Sequence, residues 1–68
     1  MDTDHDALRA RLEGTEVHLD EAQWAALPRA ARRRLLELPY ATATDRQRLA
    51  AIADWMRSEF PPGWNRRG

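Results

Sequence analysis

Val17-His18-Leu19-Asp20-Glu21-Ala22-Gln23-Trp24-Ala25-Ala26-Leu27-Pro28 is the stretch that decides how this chain folds. It reads as a complete helix start. The Asp20 carboxylate is placed to cap the first free backbone N–H groups, and Gln23, three residues on, can accept from the cap's own N–H. Leu19 before the cap and Trp24 at the fourth helical position have the spacing of a hydrophobic staple. The spacing predicts a brief helix over about 21–27, stopped at Pro28, which cannot donate to the ladder and disfavours helical geometry at Leu27.

Outward from this segment the chain reads as helix throughout. Proline also suits the first turn of a helix, so a new one is expected over about 28–38, ended by Pro39. Ala31, Leu35 and Leu38 fall on one face of it. Arg29, Arg32 and Arg33 fall on the other, with Leu36 beside them as a second contact surface or an ordinary exposed residue. Both Thr42…Asp45 and Thr44…Gln47 have capping-box spacing, and Leu49, Ile52, Ala53, Met56 and Phe60 then recur at helical intervals up to Pro61-Pro62. Toward the N-terminus, Thr3 or Asp4 can cap a helix that Gly14 ends, with Leu8 and Leu12 as its apolar edge and Ala7 beside them. Thr15 to Leu19 alternates polar and apolar residues, as an extended connector with Val17 and Leu19 turned inward would. The expectation is all-α: one domain over 1–68, a compact bundle of three to four short helices. Residues 1–5 are expected to be disordered and 61–68 to form an extended tail.

A chain of 68 residues has little core to work with. Domains near 60 residues bury only about 60% of their unfolded surface. Without cysteine, no disulfide or thiolate metal site can reinforce this one. The three Trp therefore matter, since each can bury about 150–250 Å². Trp24 and Trp55 are expected in or at the edge of the core. Trp55, Trp64, Tyr40 and Leu36 exceed what so small a core can hold, and Trp, Tyr and Arg are the residues enriched at binding hot spots. Trp64 either serves a partner or folds back as a lid through the Pro-Pro-Gly bend.

The formal net charge is zero but unevenly laid out. Residues 1–21 hold seven acids against Arg9 and Arg11, a net of −5; residues 22–68 hold nine Arg against four acids, a net of +5. Either the acidic part packs near the basic part and neutralises it, which is the preferred reading, or the basic part faces an anionic partner. All eleven basic residues are Arg, a bias that a genome rich in G and C produces unaided.

Catalytic chemistry finds few footholds. Ser58 is the only serine, late in a helix and without a Gly-rich elbow; His5 lies near the terminus and His18 in the connector. No phosphate-cradling glycine loop is present. Asp2, Asp4, His5 and Asp6 read as a solvated acidic segment before they read as a metal site. The expectation is a non-enzymatic protein without cofactor or metal. Arg29, Arg32, Arg33 and Arg34 form the best nucleic-acid footprint, but a sequence pI near 6.7 disfavours it. A helix-turn-helix reading also fails, because Pro28 replaces the usual turn and no base-reading Asn or Gln follows. No run approaches the roughly 20 apolar residues of a membrane span, and the acidic start is unlike a signal peptide, so a cytoplasmic protein is expected. Candidate partner-binding residues are Arg29, Arg32, Arg33, Leu36, Trp55 and Trp64, serving a protein partner in a monomer or weak homodimer.

The order Leu8-Arg9-Ala10-Arg11-Leu12-Glu13, Val17-His18-Leu19-Asp20, Gln23-Trp24-Ala25-Ala26-Leu27, then Arg32, Leu35, Leu38-Pro39 and Thr42 resembles the nitrate reductase-associated protein family of small bacterial and cyanobacterial proteins. The resemblance covers about residues 6–56 and is most specific from Trp24 to Pro39. It departs from the family in length, since members are commonly longer, and in the Arg of the third helix, where acids are usual. It implies a link to nitrate assimilation through gene association and supplies no catalytic residues. Trp24, Arg32, Leu38 and Pro39 carry over as signature positions of structural character.

Overall fold

In the computed structural model, which describes residues 3–64, the Asp20 box forms as its spacing predicts. The Gln23 N–H donates to Asp20 Oδ1 at 2.8 Å and the Asp20 N–H donates to Gln23 Oε1 at 3.0 Å. The helices are α1 (Thr3–Leu12), α2 (Glu21–Ala26), α3 (Arg29–Glu37) and α4 (Ala43–Glu59). No strand occurs among the described residues. The all-α expectation holds.

Each boundary follows from local chemistry. Gly14 ends α1 with φ at +87°, a left-handed conformation that side chains rarely adopt, and the Thr15 hydroxyl donates to the Leu12 carbonyl at 2.6 Å. Leu27 leaves α2 in extended geometry (φ −72°, ψ 141°), as a residue before proline should. Pro28 is the N-cap of α3 and not its first helical residue; its carbonyl accepts from the Arg32 N–H at 3.0 Å. Of the two boxes open to α4, Thr42–Asp45 forms, and Thr44 lies within the first turn. Each such cap contributes about 1 kcal/mol.

Two terminal expectations need correction. Thr3, Asp4 and His5 are helical and not disordered, because His5, Leu8 and Leu12 share one stripe of α1 and all three are buried; residues 1 and 2 of that expectation lie outside the described ones. His5, and not Ala7, extends the apolar edge. At the other end, residues 61–64 form a turn closed by the Trp64 N–H donating to the Pro61 carbonyl at 2.9 Å, with Gly63 at φ +84°. An extended tail fails there because Gly63 permits the reversal; residues 65–68 of that expectation lie outside the described ones.

The core forms where α1, α3 and α4 pack on one another. Leu8, Leu35, Leu49 and Ala53 are wholly buried, and α2 adds Trp24 and Leu27. Trp24 sits at the centre, with the His5 ring stacked on it (centroids 6.1 Å apart, planes 29°) and the Arg32 guanidinium 5.9 Å from its ring. Leu19 joins the same core from the connector, so both residues of the staple are buried together. Trp55, expected at the core or its edge, is instead 57% exposed. The core stripe of α4 runs through Leu49, Ala53 and Met56, and Trp55 lies off that stripe.

Candidate interaction surfaces

The C-terminal end of α4 carries an aromatic row. Trp55 projects from the helix, Phe60 caps it, and the turn through Gly63 returns Trp64 toward Phe60. The Trp55 and Phe60 rings meet edge to face with centroids 6.5 Å apart, and the Phe60 and Trp64 rings do so at 5.2 Å. Trp64 thus folds back onto Phe60, as one of its two expectations has it, and stays 40% exposed. Phe60 is half-buried against the core and anchors the row. Edge-to-face pairs of this kind add about 0.5–1.5 kcal/mol each and hold the rings in place. Sequence spacing placed Trp55 and Trp64 on a candidate surface but missed Phe60 as the ring that joins them. The signal was Pro61-Pro62-Gly63, whose turn brings a following aromatic back.

The arginine face of α3 is less uniform than its spacing implied. Arg29, Arg33 and Arg34 are exposed, whereas Arg32 is half-buried over Trp24 with its Nε atom out of reach of solvent. Arg32 thus sets its guanidinium over the indole and is less open to a partner than Arg29, Arg33 and Arg34. Leu36 is half-buried and packs on the core. Arg33 pairs with Glu37 at 3.7 Å, one turn along the same helix and in full solvent, where such a pair contributes at most a few tenths of a kcal/mol. The structure does not bring the α3 candidates into contact with Trp55 or Trp64 through any ring contact or hydrogen bond of the described residues.

Arginines that cross between elements end on backbone carbonyls. Arg11 Nη1 donates to the Leu38 carbonyl at 2.7 Å, and its guanidinium lies 4.4 Å from the Tyr40 ring centroid. Arg57 Nη1 donates to the His18 carbonyl at 3.4 Å and also pairs with Asp54 on its own helix. Arg46 Nε donates to the Tyr40 carbonyl at 3.3 Å. These residues tie α1 to the end of α3, and α4 to the connector. Tyr40, 47% exposed, is covered on one face by Arg11.

Two grooves lie among the described residues. One of about 770 Å³ runs between α1 and the connector, and one of about 560 Å³ lies between the connector and the first turns of α4. Ser58 and His18 are exposed and distant in sequence, and His5 is committed to packing. Among the described residues no three His, Cys, Asp or Glu side chains gather as metal ligands, and no helix is long and apolar enough to cross a membrane. No family model, curated protein or solved structure matches the chain. The fold class is that of a small all-α bundle.

Proposed function

We propose that this chain is a non-enzymatic protein-interaction module whose contact face is the aromatic row of Trp55, Phe60 and Trp64. The observation that carries the reading is two indoles left 57% and 40% exposed in a domain short of core material. Trp is the residue most enriched among binding hot spots, and an apolar patch held rigid by its own ring contacts loses little side-chain freedom on binding. The resemblance of the Trp24–Pro39 segment to nitrate reductase-associated proteins is the basis for proposing nitrate assimilation, in the cytoplasm, as the setting. Capture from lysate by the wild-type chain and by Trp55→Ser with Trp64→Ser tests this. A protein retained by the wild type and lost by the double variant supports the reading; an identical captured set for both overturns it.

The alternative is an arginine-mediated nucleic-acid contact through exposed Arg29, Arg33 and Arg34. The half-burial of Arg32 over Trp24 and the pairing of Arg33 with Glu37 weaken it, since each phosphate contact needs a free cation. Titration with duplex and single-stranded DNA at two salt concentrations should show no micromolar, salt-dependent binding.

A further inference from the structure

The split charge of the chain becomes two complementary surfaces once it is folded. The first is the groove of about 770 Å³ between α1 and the connector. Leu12 and Val17 are its apolar lining, while Asp6, Glu13, Asp20 and Glu21 line it against one arginine, Arg9, and the two histidines His5 and His18. Asp6 lies on α1 and Glu13 in the turn just past its end, so acids line the groove at both ends of the helix segment. The second surface is the outer face of α3. Arg29 and Arg33 stand exposed at i and i+4, and Leu36 at i+7 borders them, half-buried against the core, so the stripe is basic with one partly covered apolar residue at its end.

These two surfaces do not meet within one chain. The inner face of α3 is taken up by Leu35 in the core, Arg29 and Arg33 are exposed, and no hydrogen bond or ion pair of the described residues joins them to the four groove acids. Arg33 reaches only Glu37, in a solvent-exposed pair that a better partner displaces at little cost. A short helix carrying two cations and an apolar residue is the occupant that an acid-rimmed groove with an apolar lining selects. The chain itself supplies such a helix.

We propose that a second copy of this chain docks the Arg29–Arg33–Leu36 stripe of its α3 into the acidic groove between α1 and the connector. The contact is head to tail, so each added copy leaves one groove and one stripe open, and short chains of copies form instead of a closed dimer. It uses none of the aromatic row and stands independently of the function proposed above. Because the charges lie at the surface, the contact weakens as added salt shortens the screening length.

Sedimentation velocity of the full chain over a concentration series, at about 50 mM and about 500 mM NaCl, tests the proposal. The expected result is concentration-dependent association at low salt, weakened roughly tenfold or more at high salt. Arg29→Glu with Arg33→Glu, and separately Asp6→Arg with Glu13→Arg, should each be monomeric, with far-UV CD confirming the fold. Mixing the two charge-reversed variants should restore association, since the unchanged groove of the first then meets the unchanged stripe of the second, and the two reversed surfaces are also complementary. Trp55→Ser with Trp64→Ser should associate like the wild type. A chain that stays monomeric at low salt overturns the proposal. So does association that survives either charge reversal, fails to return on mixing, or disappears with the two Trp.

Discussion

His5 Nε2 lies 2.7 Å from the Leu19 carbonyl oxygen, across fourteen residues of sequence, and joins the first turn of α1 to the connector that precedes the Asp20 cap. A carbonyl only accepts, so the Nε2 nitrogen carries the hydrogen and donates. The same ring stacks on Trp24. One side chain therefore orients both halves of the staple, Leu19 through its backbone and Trp24 through its face. His5→Ala removes the donor and leaves the Leu19 carbonyl facing a cavity. The expected cost is about 1–3 kcal/mol, read as a lower urea midpoint with little change in slope. His5→Gln, which retains a donor near the same place, should lose less.

Trp24 of α2 is buried in the core, with His5 of α1 stacked on it and Arg32 of α3 over its ring. Truncation to Ala should cost about 3–5 kcal/mol, comparable to the whole stability of a domain this small. The far-UV helical signal of Trp24→Ala should be largely lost at 25 °C. An intact spectrum with an unshifted melting transition would show that the core does not depend on the indole.

Arg11 joins α1 to the far end of α3 through the Leu38 carbonyl and the Tyr40 ring. Its guanidinium does two things at once: it satisfies a carbonyl at a helix C-terminus, where positive charge is favoured, and stacks on an aromatic face. Arg11→Ala should destabilise by about 1–2 kcal/mol in urea titration. Arg11→Lys should recover only part of that, since an ammonium lacks the planar fork. Tyr40→Leu combined with Arg11→Ala should show a coupling energy different from zero in a double-mutant cycle.

What was legible in the sequence was whatever depends on neighbours along the chain. The Asp20–Gln23 box, the stop at Pro28, the Thr42 cap and the Leu49–Ala53–Met56 stripe all follow from spacing of a few residues, and all formed. The residues misjudged depend on contacts from elsewhere. His5 reads as a terminal polar residue until Leu19 and Trp24 arrive from fourteen and nineteen positions away. Arg32 reads as one of a solvated arginine run until the indole beneath its guanidinium is seen. Trp55 was drawn toward the core by its size alone, although its place off the α4 stripe argued for the surface. Of the candidate site, Trp55 and Trp64 were legible as surplus aromatics, but the row they form required Phe60 and the turn at Gly63.

The three indoles should be separable by light alone. Trp24 is 2% exposed, whereas Trp55 and Trp64 are well exposed. Acrylamide quenching of the native chain should therefore give two populations, one accessible, the other nearly unquenched. Trp55→Phe with Trp64→Phe should leave a single, shielded emitter with a blue-shifted maximum, because the remaining indole is enclosed by His5, Arg32 and the leucine core. Trp24 cannot be both the packing centre and freely quenched. If the double variant still shows an easily quenched indole, then the burial of Trp24 in the core is wrong, and the surplus of aromatics that supports a binding face goes with it.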